Sequence, residues 1–129
     1  MVVAQQNSPE PMFFTVSLGT LVPLQKAVSG VVLLAYQSAE TREHWLSQTK
    51  ATRAELAYLK KSWPTALKDG FFTQESKTML GVTELAFPIF GHTGNAVATV
   101  SVPISGTVSG KSAIEDHLQA AREAALRIS

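Results

Sequence analysis

The residue types that most often carry chemistry are sparse in this chain of 129 residues, which holds three histidines and no cysteine. Without cysteine, the sequence offers no disulfide, thiolate metal site, iron–sulfur cluster or sulfur nucleophile. His44, His92 and His117 fall on three different expected elements. None of them has the HxxxH or HxH spacing that sets two imidazoles on one face, so no metal and no cofactor are expected. Walker, GxGxxG and GxSxG patterns are absent. Ser101, His92 and Glu84 could be written as a Ser–His–acid set, but nothing local supports it, and the chain is not expected to be an enzyme. The stretch Ser105–Gly110, followed by Lys111 and Ser112, imitates the end of a phosphate loop. Its first glycine is wrongly spaced, and it reads as a flexible connection.

One residue stands apart. Glu84 is the single formal charge between Thr78 and Gly110. A lone carboxylate is costly to bury unless it is paired. Two readings stay open: Glu84 points to solvent at a strand end or pairs with Lys26, or it faces a ligand and selects an amine or hydroxyl donor. Trp45, Tyr58 and Trp63 lie near basic residues, but interleaved acids make that region an ordinary helix surface or a partner contact.

Composition bounds what can position these residues. The length suits one domain, and 45% hydrophobic with 16% charged residues excludes a disordered tail. A net charge of +1 leaves no bulk basic surface for nucleic acid or anionic membrane. No apolar run approaches the roughly 18 residues of a membrane span, and Met1–Glu10 lacks the pattern of a secretory signal. A cytoplasmic domain without a membrane partner is expected, spanning 1–129 with no linker or internal repeat.

Charge and periodicity then give the elements. Met12–Leu18 (MFFTVSL) reads as a strand, after a turn at Asn7-Ser8-Pro9. Leu24–Tyr36 is apolar nearly all round and reads as a buried helix despite Gly30. Ser38 is placed to cap a short helix ending near Ser47, and Thr52-x-x-Glu55 has the capping-box pattern for the next. Pro64 should start a new turn or kink that helix, and Lys68-Asp69-Gly70 closes it. Phe71–Gln74 suits an edge strand, and Val82–Phe90 and Ala96–Ile104 suit two more, joined by a turn at Gly91–Asn95. Ser112-x-x-Glu115 begins a last helix with the stripe Ile114, Leu118, Ala121, Ala125 and Ile128. The six phenylalanines Phe13, Phe14, Phe71, Phe72, Phe87 and Phe90 read as core.

Strand alternation sorts the side chains. Val82, Glu84, Ala86 and Pro88 share one face, and Thr83, Leu85, Phe87 and Ile89 share the other, which suits the core. On the following strand Val97, Thr99, Ser101 and Pro103 lie opposite Ala98, Val100, Val102 and Ile104. Glu84, Thr99 and Ser101 can therefore converge on one polar patch.

Two segments carry a resemblance. One is Val22–Ala35 (VPLQKAVSGVVLLA). The other comprises Gly70-Phe71-Phe72, Gly81–Phe90 (GVTELAFPIF), Thr93-Gly94 and Val97–Val102, with Ala124–Ser129 (AALRIS) at the end. Together they resemble the C-terminal effector-binding domain of the IclR family of bacterial transcriptional regulators. That family has a "PLH-x-x-A-x-GK-x-LLA" helix, a "GV-x-x-IA-x-P-(V/I)" strand, an "x-x-G-x-x-x-A-x-(L/V)-S-(V/I)" strand and a closing "A-x-x-IS" helix. The resemblance covers nearly the whole chain in the family's order. It implies an α+β, GAF-like fold, an antiparallel sheet flanked by helices. It also implies a small-metabolite effector, homo-dimers or tetramers, and DNA binding through an N-terminal winged helix-turn-helix. No such segment is present, and the chain begins without the family's opening helix and first strand, as a truncated relative would. A missing strand would leave a sheet edge for another chain to cover.

The resemblance also implies a site. In the family, effectors lie against the start of the "A-x-GK" helix, where free N–H groups favour a carboxylate. Val28, Ser29 and Gly30 match that position, while the usual His and Lys of the motif are Gln25 and Val31. Gln74 matches a position where many relatives carry an acid, and Glu84 one often held by Cys. The paired serines of the next strand become Ser101 and Pro103. The expected effector-binding set is therefore Val28, Ser29, Gly30, Gln74, Glu84, Thr99, Ser101 and Pro103. The expected function is effector sensing in an IclR-like regulator; the alternative is a stand-alone ligand-binding or oligomerisation module without a DNA partner.

Overall fold

The computed structural model describes residues 1–2, 21–76, 80–105 and 111–128, and the side chains of all these except 105, 111–114 and 117. The expected strand at Met12–Leu18 with Phe13 and Phe14, the Asn7–Pro9 turn and the Gly106–Gly110 connection lie outside the described residues. So do the side chains of Ser112 and Ile114.

A 3-10 turn at Leu24–Lys26 leads into α1 (Val28–Ala35), α2 (Ala39–Ser47) and α3 (Arg53–Asp69). Then come β1 (Phe72–Glu75), β2 (Val82–Phe90), β3 (Ala96–Ser105) and α4 (Lys111–Ile128). The strands form an antiparallel sheet in the order β1-β2-β3. This is the mixed α+β architecture that the sequence implies.

Why α1 is apolar all round is now plain. Val28 and Val32 pack on Ala86 and Phe72 of the sheet, while Val31, Leu34 and Ala35 pack on Leu59 and Ala66 of α3. A helix held between a sheet and another helix has no polar face to spare. On the sheet's other side, Leu85, Phe87 and Ile104 meet Ala121 and Ala125 of α4. The central strand β2 is thus covered on both faces, and the face carrying Ala86 and Pro88 is core as well as site.

Several expectations are met at the level of single bonds. The Ser38 hydroxyl accepts from the Thr41 N–H at 3.2 Å. Thr52 and Glu55 exchange both bonds of the capping box, at 3.0 and 3.1 Å. Gly70 ends α3 in the left-handed region, φ 84°, where a side chain is disfavoured.

Other expectations are corrected. The helix read from Leu24 is divided at Ala27, whose backbone is extended (φ −111°, ψ 144°). Leu24 thereby folds back so closely that a Cβ on Gly30 would lie 1.8 Å from the Leu24 carbonyl oxygen. Gly30 serves this contact, not packing on the sheet. Pro64 does not start a new element, since α3 runs continuously through it. A proline here deprives the Lys60 carbonyl of its donor, and both residues are exposed, so water can replace the lost bond. The α4 stripe ends at Ala125, because Ile128 in the last turn is 61% exposed. A bulge sits between Ile89 and Phe90: Ile89 pairs Ala98 and Phe90 pairs Ala96. Val97 is left unpaired and exposed, outside the alternation that grouped it with Thr99.

Candidate functional site

Register assembles the site from three strands. Gln74 pairs with Glu84, and Glu84 pairs with Pro103, so these three form one row across the sheet. Phe72, Ala86 and Ser101 form the next row, and Pro88 and Thr99 a third. Rows on one face are about 7 Å apart. All five strand residues expected at the site therefore share one face.

The direction of α1 completes the geometry. At its far end, the Tyr36 ring meets the Phe90 ring edge-on at 4.9 Å, and the Gln37 side chain donates to the Ala96 carbonyl at 2.7 Å. At its start, Val28 packs on Ala86. The helix thus runs along β2 in the strand's own direction, with its start beside Ala86, one row from Gln74, Glu84 and Pro103. Val28 and Gly30 are buried and Ser29 is half-buried. Among the described residues no side chain caps this end; the Gly30 N–H donates to the Ala27 carbonyl at 3.0 Å, and the helix's partial positive charge lies at this end. Gln74, Glu84 and Thr99 are half-buried, while Ser101 and Pro103 are exposed.

Glu84 does not simply point to solvent. Its Oε2 accepts from the Gln74 Nε2 at 3.2 Å, and the Gln74 Oε1 accepts from the Tyr58 hydroxyl at 3.0 Å. Lys26, the partner considered above, is exposed on its turn, and no ion pair joins it to Glu84 among the described residues. Sequence places Tyr58 on an ordinary helix surface or partner contact, and the structure brings it to the site instead. Its signal was available: Tyr58, Ser62 and Ala66 recur at helical spacing with Leu59, on the face that α3 turns inward.

Burial pushes the Tyr58 phenol above its ordinary value of 10.0, against a smaller opposing pull from the Ser62 hydroxyl. Burial alone raises Tyr36. A raised tyrosine pKa favours the neutral, folded form; its stabilisation is complete below the ordinary value and is lost as pH rises through the raised one. Ultraviolet titration should therefore place half-ionisation of both phenols above the ordinary value, with stability falling over the same pH range. Reversible ionisation of either tyrosine at its ordinary value, in folded protein, would contradict this environment.

Other combinations are dispersed. His92 sits exposed in the hairpin turn, eight residues along β2 from Glu84, or roughly 26 Å on an extended strand. The Ser101, His92 and Glu84 set therefore does not assemble. His44 is exposed on α2. Among the described residues, no group of three or more His, Asp or Glu side chains could hold a metal, and no helix is long and apolar enough to cross a membrane.

Comparison with known proteins follows this geometry. A search of curated protein sequences finds no match. Among solved structures, the chain is similar to an IclR transcriptional regulator from Alicyclobacillus acidocaldarius, with TM-score 0.81 and 19% identity, covering 98% of this chain and 53% of that one. It is also similar to the IclR of Thermotoga maritima, with TM-score 0.76 and 24% identity, covering 97% and 52%. A third is an IclR homolog from Microbacterium hydrocarbonoxydans complexed with 4-hydroxybenzoate, with TM-score 0.69 and 23% identity, covering 93% and 50%. The chain spans about half the length of these structures. At such identities they speak for the fold, and the sequence profile speaks for the family. That profile, described as bacterial transcriptional regulator IclR C-terminal, matches residues 1–129, and the chain belongs to this family of regulator domains.

Proposed function

We propose that residues 1–129 form one effector-binding domain, and that a small metabolite seats between the start of α1 and the Gln74–Glu84–Pro103 row. The observation that carries this reading is the convergence of Gln74, Glu84, Thr99, Ser101 and Pro103 on one face, beside the uncapped N-terminus of α1. The 4-hydroxybenzoate bound by the Microbacterium homolog supports a small organic ligand. Such a ligand acts by population shift. It binds one arrangement of two or four copies better than another, and so biases the DNA-binding segments that regulators of this family carry.

The test is a thermal-shift screen of small metabolites, followed by amide-resolved NMR on each compound that stabilises the chain. A ligand at 100 times its Kd adds about 2.7 kcal/mol of stability. Its resonance changes should centre on Val28–Gly30, Gln74, Glu84 and Ser101. A stabilising ligand whose changes centre elsewhere, for example on the groove between Arg42 and Trp63, would refute this placement.

A further inference from the structure

The side chains around Gln74 narrow the chemistry of the ligand. A glutamine amide has a donor end and an acceptor end. Against the Glu84 carboxylate only the donor end fits, which turns Oε1 towards the Tyr58 hydroxyl, 3.0 Å away. The two bonds are mutually consistent in one orientation alone. Tyr58 acts at a distance: its hydroxyl fixes the amide, and the amide fixes one oxygen of Glu84. The other carboxylate oxygen has no partner among the described residues.

The surrounding field has a definite sign. A cleft of about 450 Å³ between α3 and β1 is lined by Ala54, Glu55, Tyr58, Gln74 and Glu75. Its two charged residues are both acidic, and Gln74 separates it from a third acid, Glu84. Among the described residues no lysine or arginine lines it. Glu55 and Glu84 are half-buried and so screened less than the exposed Glu75, and among the described residues this end of the site favours a cation over an anion.

We infer that Tyr58 is a positioning residue that, through Gln74, presents a Glu84 oxygen to the ligand, and that the site takes a small molecule bearing a protonated amine. The inference rests on the placement argued under Proposed function. The ammonium donates to Glu84, within reach of the Ser101 hydroxyl in the adjacent row, and a carboxylate at the ligand's other end meets the start of α1. Ligands that carry both groups satisfy both ends of the site.

Matched probes test this. β-Alanine, γ-aminobutyrate and δ-aminovalerate differ from propionate, butyrate and valerate only in the terminal ammonium, and the three lengths cover the span of the site. Affinities are read by NMR titration at the Ser29 and Ser101 amides, for wild type, Glu84→Gln and Tyr58→Phe. A charge-assisted bond predicts that the best amino acid of the series binds wild type at least about 10-fold more tightly than its plain acid. That ratio should vanish in Glu84→Gln and fall several-fold in Tyr58→Phe, where the Gln74 side-chain NH₂ shifts should also move to those of a free glutamine. A merely structural role for Tyr58 would weaken both members of a pair alike and leave the ratio intact, which would overturn the relay. Equal or tighter binding of the plain acids at these amides would overturn the amine assignment and leave the site standing. If neither series moves these amides at any length, the inference and the site placement fall together.

Discussion

Gly30→Ala is expected to destabilise the domain by about 2 kcal/mol. The added Cβ would sit 1.8 Å from the Leu24 carbonyl oxygen and 2.8 Å from its carbonyl carbon. Backbone cannot swing aside as a side-chain tip can, so the 3-10 turn must lift from α1. Overpacking costs about 1–3 kcal/mol, and a clash with rigid backbone belongs at the upper end of that range; alanine returns about 1 kcal/mol of helix propensity. The net loss should lower the melting temperature by about 8 °C for a chain of this size. Circular-dichroism melts of Gly30→Ala beside Ser29→Ala, its half-buried neighbour, provide the check. An unchanged or raised melting temperature for Gly30→Ala would mean that Leu24 does not rest on the helix. The same displacement reaches the first turn of α1, so ligand binding should weaken with stability.

Arg42→Ala should cost a similar amount, about 2–3 kcal/mol, for a different reason. Helix α1 ends with carbonyls that have no intrahelical donor. From α2, the Arg42 Nε donates to the Leu34 carbonyl at 2.9 Å. One terminal nitrogen donates to the Ala35 carbonyl at 3.3 Å and the Gln37 carbonyl at 3.1 Å. The guanidinium also lies over the Trp63 ring, 4.5 Å from its centre. One planar cation therefore binds the end of α1 to α2 and α3. The three bonds, two of which share one nitrogen, together contribute about 2 kcal/mol once their half-exposure is discounted, and the ring contact about 0.5 kcal/mol. Arg42→Lys should recover less than half of the loss, because an ammonium cannot span three carbonyls and stack on the ring. Urea unfolding measures the loss, and altered tryptophan fluorescence in the folded state should accompany it. Arg42→Lys at wild-type stability would rule out this fork geometry.

These two residues mark where sequence reasoning stopped. The Thr52 capping box, strand alternation and the stop at Gly70 are local: the partners lie within a few residues, so spacing alone predicts them. Arg42 looked like one charge among many on a solvated helix. Its role depends on where α1 ends relative to α2 and α3, which no spacing encodes. Pro64 misled because a single missing bond weakens a helix without ending it when the deprived carbonyl can reach water. Ala27 was missed because an extended residue between two helical segments has no compositional mark.

The candidate site divides along the same line. Alternation in β2 and β3 was enough to put Glu84, Thr99, Ser101 and Pro103 on one face, because a two-residue period and an antiparallel register follow from the sequence pattern. Family likeness placed Gln74 and the α1 segment beside them. The partner of Glu84 was decided only by tertiary structure. Sequence left solvent, Lys26 or a ligand open; the fold supplies Gln74, and behind it Tyr58 from a helix sixteen residues earlier in the chain. A side-chain hydrogen bond forms over about 3 Å, a scale set by how α3 packs on the sheet and invisible to periodicity. What the sequence determined by itself was which residues face the same way; what the packing of α1 and α3 decided was which of them touch.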